Sequence, residues 1–159
     1  MIVVLDTNLI VSALLSPNGI PGEIVRYMET GEITVATSSH LLNKLERVLK
    51  YSKVAKYIKC SEEEVNLFIK RFKMFADIVQ PEVSVKVIEK DPDDNHVLEC
   101  AIAARAAFII TGDQHLFELK EFQGVDIIFP SVFVTWFTTR NKVIFTRSDI
   151  LFRKILLET

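Results

Sequence analysis

The chain has 159 residues, enough for one domain to bury a core without disulfide or metal staples. Hydrophobic residues make up 49% of it and charged residues 25%, the balance of an ordinary globular domain. Its net charge of −2 argues against a high-affinity, non-specific nucleic-acid binder, which is usually basic, but not against an enzyme that meets a few phosphates through a metal ion.

The apolar runs are too short to cross a bilayer, and no signal-peptide pattern precedes Ile2, so a cytoplasmic protein without membrane attachment is expected. Cys60 and Cys100 read as two sparse buried thiols. His40, His96 and His115 show no ligand spacing with them, which argues against a zinc site.

Strand and helix patterns alternate from the start. Ile2-Val3-Val4-Leu5 is a continuous apolar run, as expected for a strand covered on both faces of a parallel sheet. Asp6-Thr7-Asn8 can cap a helix over about 9–15. After a turn at 16–19, Pro21 suits the first turn of a helix ending near Glu29, with Gly31 as its stop. Residues 33–36 read as the next strand. Ser38 or Ser39 then caps a helix with an apolar stripe of Leu41, Leu42, Leu45, Val48 and Leu49. Ser61-Glu62-Glu63-Glu64 is a capping box that opens a helix over 62–75.

Residues 78–79 and 83–88 read as extended. Asp91-Pro92-Asp93-Asp94-Asn95 forms a loop leading into an alanine-rich helix over 95–105. A strand over 107–110 ends in Thr111-Gly112-Asp113, and Leu116, Phe117 and Leu119 suggest a short helix beyond. Residues 125–129 form the last strand, and Pro130-Ser131 opens a helix through Phe137. In the tail an amphipathic helix is expected from Ser148, and no repeat or linker splits the chain.

In open parallel sheets ligands bind beyond the carboxyl ends of the strands. Two strands here run into an aspartate there, Asp6 and Asp113, and Asp91, Asp93 and Asp94 precede a helix lying between sheet strands. Each acid alone reads more readily as a helix cap or turn residue. Gathered at one edge they repel, and so need a cation or protonation. Carboxylate oxygens favour magnesium or manganese, and such a site can activate water and hold a scissile phosphate. No glycine-rich phosphate loop is present, and Asp6-Thr7-Asn8 lacks the second aspartate of an Asp-x-Asp-x-Thr phosphatase.

Taken in order, Asp6-Thr7-Asn8, Asp91-Pro92-Asp93-Asp94-Asn95, Ile109-Ile110-Thr111-Gly112-Asp113 and the closing Ile127-Ile128-Phe129-Pro130 with Phe133 resemble a PIN domain over residues 1–137. They are most similar to the subgroup that act as toxins of toxin–antitoxin pairs. The resemblance implies a three-layer α/β/α sandwich with a central, mainly parallel sheet. It implies a magnesium- or manganese-dependent endoribonuclease with RNA as substrate, an antitoxin protein as partner, and pairing into a homodimer. Asp6, Asp94 and Asp113 match the family's catalytic, metal-holding acids. Thr7, Asn8 and Thr111 match its polar supports, and Asp91, Asp93 and Asn95 flank the acids. Residues 138–159 are expected as an extension packed on this domain or a second copy, with Ile150, Phe152 and Ile155 as contact residues.

One position departs from the family pattern. Where a stretch resembling Leu-Leu-x-Glu-Leu carries a fourth acid, this chain reads Leu41-Leu42-Asn43-Lys44-Leu45. Glu46 is close in sequence, but two residues apart on a helix means about 200° of rotation. With the leucine stripe inward, Lys44 and Glu46 flank it on opposite sides. Three readings stand: Lys44 is an internal cation among the aspartates, or it leaves a weaker single-metal site, or a shifted helix makes Glu46 the fourth acid. The first favours a catalytically weakened domain that binds nucleic acid or a protein partner.

Overall fold

The structure, a computed structural model, describes residues 1–141. The helix expected from Ser148, the contacts expected at Ile150, Phe152 and Ile155, and nearly all of the 138–159 extension lie outside the described residues. Six strands form one sheet in the order β3-β2-β1-β4-β6-β5. They are β1 (Ile2–Leu5), β2 (Thr34–Ser38), β3 (Asp77–Val79), β4 (Phe108–Ile110), β5 (Glu121–Phe122) and β6 (Val125–Ile128). Every pairing is parallel except β5 with β6, a short antiparallel edge.

Helices cover both faces. The elements α1 (Thr7–Leu15), α2 (Ile20–Glu29), α3 (Ser39–Lys50), α4 (Ser52–Tyr57) and α5 (Glu62–Phe75) come before β3 in the chain. A 3-10 turn, η1 (Pro92–Asp94), leads into α6 (Asn95–Ala104), and α7 (Gln114–Phe117) follows β4. A last helix, α8, covers residues 130–141. The result is a three-layer α/β/α sandwich. No helix of the described residues is long and apolar enough to cross a membrane.

The continuous apolar run of β1 follows from this layering. Val3 and Leu5 join the core under α1, α2, α5 and α8, while Val4 joins the opposite core under α6. Ile110 and Ile109 of β4 divide in the same way, as do Val35 and Ala36 of β2. Val3, Val4, Val35, Ile109 and Ile110 are completely buried. Each such side chain contributes about 1.5–3 kcal/mol relative to exposure. The strongest strands are therefore the ones that carry the site at their ends.

Two stretches go beyond the sequence-based reading. Residues 83–88 pair with no strand of the described residues. Val85 and Ile88 are buried against α6, and their backbone is held by side chains rather than by a ladder. The short helix α4 lacks a side-chain cap, which is why no start signal marks it. Elsewhere α1 begins at Thr7 because Asp6 is itself the N-cap, and Ser38 rather than Ser39 caps α3.

Candidate active site

The chain crosses over from β1 toward β2 on one side, while β4 flanks β1 on the other, so strand order reverses between β1 and β4. A crevice at the carboxyl ends of these two strands follows from that topology. Asp6 sits at its base, 2% exposed. Its backbone N–H donates to the Ile110 carbonyl at 3.2 Å, extending the β1–β4 ladder by one residue.

Both carboxylate oxygens of Asp6 have donors. Oδ1 accepts from the Asn8 backbone N–H at 3.4 Å, which caps α1, and Oδ2 accepts from the Thr111 hydroxyl at 3.0 Å. Thr111 is fully buried, and its oxygen in turn accepts from the Asp113 backbone N–H at 2.9 Å. Asp113 caps α7, its Oδ1 accepting from the N–H groups of His115 at 2.7 Å and Leu116 at 3.3 Å. Thr7 is buried at the first position of α1. Asn8 is exposed and, with Ser12, Gly112, Asp113 and Pro130, lines a cleft of about 340 Å³.

Asp94 behaves differently. It occupies the N-cap position of α6 and is 4% exposed, yet its side chain makes no capping bond. Oδ2 is buried without a hydrogen-bond partner among the described residues, and Oδ1 stands 3.8 Å from the Lys44 ammonium. A buried acceptor left without a donor is costly and uncommon in native proteins. Its neighbour Asp93 is half-buried, with Oδ2 at 3.7 Å from Lys44 Nζ and 3.6 Å from Arg47 Nη2. Asp91 caps η1 by accepting from the Asp93 N–H at 3.2 Å.

Lys44 thus points into the acidic edge, and Glu46 points away from it. Glu46 pairs with Lys73 of α5, which holds its carboxyl below the usual range. Asn95 is placed beside the acids, but its side chain serves the 83–92 segment. Its Oδ1 accepts from the N–H groups of Val87 and Ile88, and its Nδ2 donates to the carbonyls of Ile88 and Pro92.

The electrostatics remain short of positive charge even with Lys44 present. Burial pushes the Asp6 carboxyl up, against the lowering effects of the Thr111 and Asn8 bonds and of the Lys44 charge. Burial, followed by the Asp91 charge, raises Asp94 from 3.8 to about 6, with Lys44 opposing and Asp6 and Asp113 adding to the rise. Two buried carboxyls pushed up in this way, one of them with an orphaned oxygen, suit a hard dication better than they suit a single lysine. The donor set of Asp6, Asp94 and Asp113 is all oxygen, the kind that magnesium or manganese takes, although its ligand atoms do not all lie within 4.8 Å of one another.

A tighter constellation lies alongside, and sequence spacing did not reveal it. Ligand atoms of His40, Asp93 and His96 all fall within 4.8 Å of one another, the one such group of three or more among the described residues. His40 opens α3 and His96 opens α6. The only local signal was the i, i+3 spacing of His96 and Glu99, which are joined at 2.7 Å.

The fold places these acids at the carboxyl ends of β1 and β4, and comparison with known proteins assigns the chain to a family. A family model described as PIN domain matches residues 2–115, and the chain belongs to that family. It is 34% identical over 119 residues, 75% of each chain, to an uncharacterised protein of Methanocaldococcus jannaschii. It also shares its fold with a chain of the VapBC2 crystal structure from Rickettsia felis, which is bound to a DNA fragment from their promoter. That likeness has a TM-score of 0.55 at 18% identity and covers 81% of this chain and 98% of that one.

Proposed function

We propose that this PIN domain is a magnesium- or manganese-dependent endoribonuclease, the toxin of a toxin–antitoxin pair, acting in the cytoplasm. The observation that carries the reading is the buried, partnerless Oδ2 of Asp94 beside Asp6 and Asp113. Asp6, Asp94 and Asp113 would hold the dication, which would supply charge stabilisation for a scissile phosphate and a more acidic water. The chain's own groups do the rest. Thr111 fixes the Asp6 carboxylate through Oδ2, and the cap bonds of Asp113 fix that side chain relative to the β4 end. Asp94 Oδ2, with no donor of its own, is left free to face a cation, and Lys44 offers a point charge to a phosphate oxygen.

The assay is cleavage of single-stranded and structured RNA with manganese, magnesium or chelator, for the natural chain and Asp6→Asn. Asparagine keeps the cap of α1 while removing the charge. Activity should need the metal and fall by roughly 100-fold or more in the variant, the scale set by losing one charge-stabilising group. Cleavage that is equal in both proteins, or indifferent to chelator, rejects the assignment.

A second reading has its own support in the 3.8 Å approach of Lys44 to Asp94. There the lysine neutralises the acids, and the domain binds RNA or a protein partner without cutting. RNA binding by both proteins with cleavage by neither identifies that case. The antitoxin partner and the homodimer rest on family resemblance, and co-expression with the neighbouring open reading frame, followed by size-exclusion chromatography, tests both.

A further inference from the structure

We propose that His40, His96 and Asp93 form a second cation site, distinct from the aspartate cluster, that takes one borderline transition-metal dication of the Zn2+ class. The two imidazoles stack with centroids 3.5 Å apart and an interplanar angle of 29°. His40 Nε2 stands 3.6 Å from Asp93 Oδ1, outside hydrogen-bond reach. The three side chains thus crowd together without bonding to one another. Two imidazole nitrogens and one carboxylate oxygen are the donors of zinc sites that keep a fourth position open, and they differ in kind from the all-oxygen set of Asp6, Asp94 and Asp113.

The surroundings of His96 carry the argument further. Its Nδ1 lies 2.7 Å from Glu99 Oε2, and Glu99 Oε1 accepts from the buried Val85 N–H at 2.9 Å. Glu99 is thus held rigidly as an acceptor for an Nδ1–H, and in that tautomer the Nε2 lone pair is free to ligate. A carboxylate on the far nitrogen is the usual support of a metal-bound histidine, fixing tautomer and ring orientation. The oxygens of Asp93 divide their work in a compatible way. Oδ2 faces Lys44 and Arg47, and Oδ1 faces His40.

The geometry needs only a small closure. Tetrahedral zinc, with bonds of about 2.0–2.1 Å, sets ligand atoms roughly 3.3 Å apart, and the present group lies within 4.8 Å. His40 is exposed and makes no side-chain hydrogen bond among the described residues, whereas His96 is already anchored by Glu99. His40, His96 and Glu99 also line a cleft of about 300 Å³ beside the end of β3, with room for a water as fourth ligand. A bound ion would tie the start of α3 to the start of α6, next to Asp94.

The test is calorimetric titration of the metal-stripped full chain with Zn2+, alongside Mn2+ binding followed by electron paramagnetic resonance. The expected result is one Zn2+ per chain, with affinity reduced more than about 10-fold by His40→Ala and by Glu99→Gln, the scale for losing a ligand or its support. Asp6→Asn should leave Zn2+ binding intact while weakening Mn2+, and His40→Ala should do the reverse. Because His40 is exposed, its variant should fold, and circular dichroism verifies that before titration. Histidine ring NMR shifts on Zn2+ addition should move for His40 and His96. Zn2+ binding unchanged by His40→Ala, lost in Asp6→Asn, or absent from the natural chain would overturn the assignment.

Discussion

Thr111 donates its hydroxyl to Asp6 Oδ2 at 3.0 Å, a bond that spans almost the whole described chain and ties the end of β4 to the end of β1. The same oxygen accepts from the Asp113 N–H, so one buried hydroxyl sets two of the three central acids. Thr111→Val keeps the shape and removes both bonds. The Asp113 N–H and Asp6 Oδ2 are then left short of a partner, at a cost of about 1–3 kcal/mol. Urea denaturation should show that loss, and manganese affinity should weaken because Asp6 is no longer held. Unchanged stability and affinity would mean that water replaces the hydroxyl without penalty.

Lys44 is the residue that sets the balance between the two functional readings. Lys44→Glu adds an oxygen donor and removes the cation 3.8 Å from Asp94. Higher magnesium or manganese affinity and faster RNA cleavage are expected, and calorimetry with manganese is the direct measure. Equal affinities count against the idea. Glu46→Ala serves as the contrast, since its partner is Lys73 and the pair is partly exposed. It should leave metal affinity unchanged and cost under about 1 kcal/mol of stability.

The raised carboxyl of Asp94 carries a pH signature in metal-free protein. The folded state holds its proton up to about 6, whereas the unfolded chain releases it near 3.8. Folding therefore takes up a proton between those values, and this group's contribution falls as pH rises through that window. Asp94→Asn has no such dependence. In chelator its stability relative to the natural chain should improve from pH 4 to pH 6 and then level off, by roughly 1–2 kcal/mol. Thermal melts across that range test it. Added manganese should reverse the order by stabilising the natural chain more.

Asn95 offers a structural prediction. Its side chain makes four hydrogen bonds to the backbone of the 87–92 stretch and is itself 4% exposed. Asn95→Ala leaves those groups unpaired. A loss of about 2–4 kcal/mol is expected, from several unmet bonds of which some find water. Hydrogen exchange at Val87 and Ile88 should accelerate in the variant, while exchange in β1 and β4 changes only with global stability.

How legible all this was in the sequence varied with the range of the interaction. The β1 run and Asp6 could be read together because strand, cap and acid are consecutive residues. The spacing of Leu41, Leu42 and Leu45, local and periodic, placed Lys44 and Glu46 on opposite flanks of the stripe, but which flank faces the acids depends on packing. Residues 83–88 read as extended, with alternating valines. Among the described residues they join no ladder, and side chains of α6 hold them instead, which no local pattern shows. The meeting of His40 with His96 depends on how α3 and α6 pack, which no local pattern records. The partnerless oxygen of Asp94 was equally out of reach, since an N-cap position ordinarily means a capping bond.

Asp6 and Asp113 are helix caps as well as members of the acidic cluster, and Asp94 is a member only. Selection for a folded chain alone therefore holds the first two in place, with asparagine as a tolerated exchange, and is silent about the third. Among descendants of this gene that no longer need the proposed chemistry, position 94 should drift first, while 6 and 113 stay polar. Its identity across relatives is thus a record of use rather than of architecture.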